Sequence, residues 1–414
     1  MNILIVTNHF WPENFRINDL AASLKKRGHN ITVLTNIPNY PQGKFYKGYG
    51  FFTKSTEYYE NIKIYRFPLI PRGKGKNINL ILNYISFAFF ATLLAPFRIK
   101  EKIDIIFVYE TSPVTIGIPA IIMKKIKKAP IYFWVQDLWP ESVFAASTVK
   151  SGFVYQILNK ITQSIYSYCD KILVQSKAFI PSIQEKNVSY EKIFYLPNWA
   201  EDLFELETKN KTSIFKEKNL IPKGFIVMFA GNIGESQNFP EIINAAEILK
   251  KNKDIHWVIL GDGRKRSWVE EEIKKRNLED NFHLLGRYPL ELMPKFFKKA
   301  DALLVALKKE YIFSLTIPGK IQSYLKSGIP IVTMLDGEGS RIIKEANAGL
   351  TAKASDSKKL SNNIIKLYNM NSKERKEMGK NGKIYYNNNF EKENLLNKLN
   401  NLFLSKSLTG IESI

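Results

Sequence analysis

Short runs of nearly continuous apolar residues recur through the first half of the chain, at 2–7, 31–35, 62–67, 103–109, 131–135 and 171–175. Runs of this length, apolar at successive positions, suit parallel strands covered on both faces. Stretches with helical spacing, 17–27 and 154–168 among them, lie between several of these runs. Strands alternating with helices predict a parallel α/β sheet. Residues 196–202 then read as a connector, followed by the polar run 207–218. A second series starts at 225–231, leads into a helix over 241–250, and continues through 257–260, 282–285, 302–306 and 329–334. The pattern predicts two Rossmann-like α/β domains, 1–200 and 201–390, with a further helix over 391–404. In open parallel sheets ligands collect beyond the carboxyl ends of the strands, so the loops there are the first place to look for chemistry.

One segment does not fit that rhythm. Residues 78–97 hold fifteen apolar side chains in twenty, preceded by the basic turn Pro71-Arg72-Gly73-Lys74-Gly75-Lys76. The length permits a membrane span. A span would, however, part strands needed in one sheet, and Asn79, Asn83 and Ser86 fall near one helical face. A buried helix of the first domain is the favoured reading. An interfacial helix, its flanking cations on anionic headgroups, is the second.

Composition narrows the class. The chain has 414 residues, long enough for two cores, and its 45% apolar content is that of a globular protein. One cysteine, Cys169, excludes a disulfide framework, and four scattered histidines give no zinc spacing. The N-terminus is apolar from Ile3 and reads as a first strand, not a signal peptide, so a cytoplasmic protein is expected. The net charge of +22 is spread along the chain with no aromatic–basic interleaving. Nucleic-acid binding would rest on charge alone and is not expected, whereas an anionic membrane surface contacted through 72–97 is.

Five loops carry candidate chemistry. The first, Asn8-His9-Phe10-Trp11-Pro12-Glu13-Asn14-Phe15-Arg16, opens a helix whose amides and Arg16 attract anions. Pro12 and Asn14 starting a helix is the plainer alternative. In Gln136-Asp137-Leu138-Trp139-Pro140-Glu141, Asp137 or Glu141 stands where a carboxylate orients a hydroxyl or takes a proton. A helix cap by Asp137 is equally compatible. Gly231-Asn232-Ile233-Gly234-Glu235-Ser236-Gln237 joins strand to helix, as does Gly261-Asp262-Gly263-Arg264, and glycines let backbone approach a diphosphate. In Glu310-Tyr311-Ile312-Phe313-Ser314-Leu315-Thr316-Ile317-Pro318-Gly319-Lys320, Lys320 and helix-starting amides converge, although a solvated helix lysine reads as well.

These residues resemble the retaining glycosyltransferases of family 4. The opening from His9 to Leu20, the Gln136–Ser142 segment, and Thr316-Ile317-Pro318-Gly319-Lys320 with Gln322-Ser323-Tyr324 are similar to the branch containing L-fucosamine transferases of bacterial polysaccharide assembly. The resemblance implies an α/β GT-B fold, two Rossmann-like domains facing each other across a cleft, with the last helix returning to the first. It implies a UDP-sugar donor, with an N-acetylated amino sugar such as L-FucNAc as the best match. It also implies a lipid-linked glycan acceptor, action in O-antigen or capsule assembly, and peripheral placement at the inner face of the plasma membrane. Lys320, Glu310 and Asp137 become the catalytic candidates. Gly231, Asn232, Gly234, Gln237, Gly261, Arg287, Tyr288, Ser314, Thr316, Pro318, Gly319 and Gln322 become donor contacts. Glu13, Asn14, Arg16, Gln136 and Glu141 become acceptor contacts. No Asp-x-Asp motif is present, so neither a metal nor a separate cofactor is expected. Asn232, Gln237 and Ser323 replace an arginine, a lysine and a glutamate that many members carry. A catalytically degenerate scaffold and a nucleotide-sugar 2-epimerase on the same fold are the competing functions.

Overall fold

The computed structural model describes residues 1–51, 53–73, 77–146, 151–201 and 220–405. The predicted polar run 207–218 and the cations Lys74 and Lys76 lie outside them. The chain forms two compact units, residues 1–197 with the chain from Leu395, and Asn198–Asn394.

The first unit is built on β1 (Asn2–Thr7), β2 (Asn30–Asn36), β3 (Thr56–Tyr59), β4 (Ile62–Phe67), β5 (Ile105–Glu110), β6 (Ile131–Val135), β7 (Lys171–Val174) and β8 (Ile193–Tyr195). They form one sheet in the order β3-β4-β2-β1-β5-β6-β7-β8. All neighbours are parallel except the edge pair β3–β4. The core strands β1, β5 and β6 are buried almost throughout, which is why they read as unbroken apolar runs. The chain leaves β1 in one direction through β2 and in the other through β5, so the strand order reverses there. Val6 pairs with both Leu34 and Val108, and Glu110 pairs with Val135. This register brings the carboxyl ends of β1, β5 and β6 to one level. The helix Lys392–Leu404 adds to this unit from Leu395. Its Phe403 packs on Phe107 and Tyr132, and Asn400 Oδ1 accepts from His29 Nε2 at 2.8 Å.

The second unit carries β9 (Phe225–Ala230), β10 (Ile255–Leu260), β11 (Phe282–Gly286), β12 (Ala302–Ala306), β13 (Ile331–Met334) and β14 (Gly349–Ala352). Its sheet is entirely parallel, in the order β11-β10-β9-β12-β13-β14, and reverses between β9 and β12. Helices Phe239–Ile248 and Ser357–Asn369 cover one face, and Gly319–Ser327 and Glu338–Glu345 the other. The three strands without a sequence expectation, β3, β8 and β14, are three or four residues long. Runs that short carry no resolvable period.

Helix Asn77–Arg98 corrects the favoured reading of 78–97 as buried. Phe87, Ala88, Ala91 and Ala95 face inward, yet Ile78, Ile81, Ile85, Phe89, Leu93 and Phe97 are each more than half exposed. The polar residues are on the inside instead. Asn83 donates to the Ile70 carbonyl at 2.7 Å, and Ser86 Oγ accepts from the Ile70 amide at 2.9 Å. Buried polar atoms used to tie down a neighbouring loop leave the apolar side chains for the surface.

Candidate active site

In the second unit the chemistry gathers at the switch between β9 and β12. β9 ends at Ala230, and Gly231 adopts a φ of +147°. A Cβ there would stand 2.5 Å from Lys320 Cε, so only glycine leaves room for that side chain to cross the turn. Lys320 sits in the first turn of Gly319–Ser327, after Pro318. Its Nζ donates to Gln237 Oε1 and lies 3.8 Å from the centroid of the Phe229 ring. Only part of the residue meets solvent, and its ammonium is enclosed, so desolvation pushes its pKa down to about 7. Tyr324, one turn later, accepts from the Ala230 amide at 2.9 Å and fixes the helix to the strand end.

The second glycine loop supports the first. Gly261 also has a left-handed φ, +149°, and a Cβ there would overlap the Gly231 carbonyl oxygen at 1.8 Å. The amides of Gly231 and Ile233 donate to Leu260 and Asp262 at 2.8 Å each. Asn232 is wedged against Gly234 and Gly263, where any Cβ would meet its amide. Asn232 therefore shapes the turn that many relatives are expected to fill with arginine. Glu235 pairs with Lys308 and, at 2.8 Å, with Lys265, and these hydrogen bonds hold its carboxyl below the usual range. Sequence reading missed this trio, whose members come from three separate loops.

The remaining donor candidates divide. Glu310 is exposed and opens the helix Tyr311–Leu315, its carbonyl accepting from Phe313 and Ser314. Ser314 Oγ donates to the Tyr311 carbonyl and Thr316 Oγ1 to that of Ile312, so both hydroxyl protons are spent locally. Gln322 is fully buried, and its amide, turned to match its surroundings, donates to the carbonyls of Pro318 and Gly319. That places Gln322 beneath the turn, not at a donor. Arg287 is exposed with Nε 3.9 Å from Asp262, and Tyr288 packs on Phe296. Gly337, also missed, is what lets the following helix abut this segment, since a Cβ there would overlap the Ser314 carbonyl oxygen at 1.8 Å.

In the first unit two expected acceptor contacts prove structural. Glu13 is buried; Oε2 lies 2.6 Å from His9 Nδ1, and Oε1 accepts from the amides of Asn39 and Tyr40 at 2.7 Å each. All its capacity goes to joining the first turn to the loop after β2. Glu141 is the counter-ion of the buried Lys186, at 2.7 Å. Asn14 is exposed, and the half-buried Arg16 keeps a buried Nε without a hydrogen-bond partner. Replacing Glu13 by alanine strands the buried amide of Asn39 and the part-buried amide of Tyr40. An expected loss of about 2–4 kcal/mol in stability is measurable by urea unfolding, with Glu13→Gln losing less.

Asp137 sits beyond β6, one strand from the reversal of this sheet. Its amide lies 3.4 Å from Glu110 Oε2, and the Gln136 amide donates to the Glu110 carbonyl at 2.9 Å. Gln136 itself is buried. Enclosure pushes the Asp137 carboxyl up to about 6, opposed by a hydrogen bond from Ser112. Ser112 Oγ also accepts from Trp139 Nε1 at 2.8 Å. Glu110 escaped sequence reading because the strand expected over 103–109 stopped one residue before it.

Two α/β units built on mainly parallel sheets, each with a reversal of strand order, define a GT-B fold, and solved structures agree on it. Sucrose-phosphate synthase from Thermosynechococcus elongatus superposes with a TM-score of 0.73 at 14% identity, over 97% of this chain and 98% of that one. Anabaena HepE, solved in complex with UDP, gives 0.66 at 12% identity, over 98% and 100%. Residues 210–385 match the family model described as glycosyl transferases group 1. The Escherichia coli K12 protein named as colanic acid biosynthesis glycosyl transferase WcaI is 24% identical over 339 residues, spanning 79% of this chain and 82% of that relative. These matches make the chain similar to group 1 glycosyltransferases, with the family model falling on its second half.

Proposed function

We propose that the chain transfers a sugar from a UDP-sugar to a lipid-linked glycan in the assembly of a surface polysaccharide. The observation that carries this reading is Lys320, a desolvated cation laid across a glycine turn at the sheet reversal of the second unit. A diphosphate placed there would meet the ammonium and the helix-starting amides together. The UDP bound to Anabaena HepE supports the choice of nucleotide, and the colanic acid relative supports the pathway class. The best match for the sugar is an N-acetylated amino sugar such as L-FucNAc.

In this reading the donor C1–O bond breaks with its electron pair leaving on the diphosphate, whose charge Lys320 stabilises. The acceptor hydroxyl bonds to C1 from the same face, and its proton passes to the departing phosphate oxygen. The configuration is retained without a covalent enzyme intermediate or a metal. Asp137 orients the hydroxyl, and Glu310 and Arg287 contact the sugar and nucleotide. The apolar face of Asn77–Arg98 rests in the headgroup region of the inner leaflet. Helix Gly117–Lys127, packed beside it, carries the partly exposed Ile118 and Ile126 and the cations Lys124, Lys125 and Lys127.

The test is thermal stabilisation by UDP, GDP and dTDP, followed by transfer from matching donors to membrane lipid extracts. No stabilisation by any of the three overturns the reading. A further expectation follows from the lowered pKa of Lys320. The free site sheds its proton near pH 7, while a bound diphosphate holds that proton on. Binding should thus be nearly independent of pH below about 7 and weaken up to tenfold per unit above it. Calorimetry in buffers of different ionisation enthalpy should show proton uptake at pH 8.

A further inference from the structure

The reversal of the first sheet holds a carboxyl that the reaction as described does not use. Glu110, the last residue of β5, is fully buried, and its Oε1 has no hydrogen-bond partner among the described residues. Its Oε2 faces the amide of Asp137. Asn8, 2% exposed, completes the cluster from β1. Its Nδ2 donates to the Ser112 carbonyl at 3.3 Å, and its Oδ1 is unpartnered. Ser112 in turn hydrogen-bonds Asp137. The unmatched Oδ1 of Asn8 is an acceptor, so a group completing the cluster can bring a donor, as a sugar hydroxyl does.

We propose that Glu110 and Asp137 form a two-carboxyl seat for the attacking hydroxyl of the acceptor, Asp137 receiving that hydroxyl and Glu110 positioning Asp137 from behind. The proposal rests on the glycosyl-transfer reading above. Two carboxyls that interact while withdrawn from water resist ionising together. Burial, and then the charge of Asp137, raise Glu110 well above the usual range, whereas Asp137 loses its proton near pH 6. In the proposed seat Glu110 keeps its proton and Asp137 carries the charge. Tyr84 faces it from helix Asn77–Arg98, with Arg72 at 3.2 Å from its hydroxyl, and Tyr166 faces it from helix Gly152–Ser167. Burial raises both phenols, so among these neighbours Arg72 supplies the standing charge. An ionised Asp137 can accept the hydroxyl proton in a hydrogen bond and aim the oxygen lone pair.

Two measurements on the full chain decide this. Infrared pH titration without substrate should show a protonated carboxyl at pH 7 that is missing from Glu110→Gln. A second carboxyl, titrating near pH 6, should be missing from Asp137→Asn. A wild-type protein with no protonated carboxyl at pH 7 overturns the proposal. In the second measurement, slow hydrolysis of UDP-N-acetylglucosamine should lose rate below pH 6. Asp137→Asn should cost on the order of 100-fold in kcat and remove that limb. Glu110→Ala should cost about tenfold in kcat with little change in KM, and Glu110→Gln, neutral like the acid form, should recover most of it. A Glu110→Gln loss as deep as that of Asp137→Asn, or an acid limb that persists in Asp137→Asn, sinks the idea. Failure of wild-type protein to bind UDP would instead refute the transfer reading, and the infrared titration would still decide the carboxyl pair.

Discussion

Lys320→Ala is expected to lower kcat for sugar transfer by about 10²–10³-fold, the usual cost of removing one preorganised charge from a developing anion. A lysine that merely decorates a helix surface would give no such loss. The same residue makes an opposite prediction for stability. Its folded pKa, about 7, lies below the ordinary lysine value of 10.5, so the unfolded chain binds more protons between those limits. Wild-type stability should therefore rise with pH from about 7 towards 10, and the penalty for burying this cation is fully present below 7. Lys320→Met removes the titration. Its melting temperature should exceed that of wild type at pH 6, and the difference should shrink as pH rises. A variant that is more stable yet inactive separates a functional cation from a packing element. Parallel losses of stability and activity would count against the assignment.

The sequence was most informative where one physical requirement dominates. Strands buried on both faces must be apolar, so β1, β5, β6, β9 and β12 were visible as runs, and their sum defined two α/β units. Glycines at 231 and 261 were visible as turns, but not the reason for them, which is the passage of Lys320 and the meeting of two loop backbones. Those contacts join positions tens of residues apart. Polar side chains were least legible. Glu13, Glu141 and Gln322 sit in motif-like segments, yet each is consumed by partners inside its own unit: backbone amides, Lys186 and two carbonyls. Composition cannot distinguish a carboxylate offered to a ligand from one neutralising a buried lysine. Glu110 shows the converse. It fell one residue past the strand expected over 103–109 and is one of the most deeply buried acids in the unit.

The same limit explains helix Asn77–Arg98, and it leads to the second large effect. Asparagines and serine on one face suggested a solvent side, but they are the side that anchors the loop at Ile70. The apolar stripe faces out, and its residues follow helical spacing from Ile78 to Phe97. A large exposed apolar face marks a place where something docks. Inserting Ile81, Ile85 and Phe89 into the headgroup region removes apolar surface still open in the folded unit. At roughly 25 cal/mol per Å², three half-exposed side chains contribute about 3–5 kcal/mol, a factor of ~10²–10³ in partitioning. The triple variant Ile81→Asp, Ile85→Asp, Phe89→Asp should therefore lose sedimentation with vesicles containing phosphatidylglycerol while keeping its far-ultraviolet circular dichroism. It should still hydrolyse a soluble donor, because none of the three side chains belongs to the Lys320 or Asp137 clusters. Unchanged vesicle binding would assign the stripe to a protein partner. Binding abolished by salt alone would place the attraction in the lysines of Gly117–Lys127, since apolar insertion is not screened by ions.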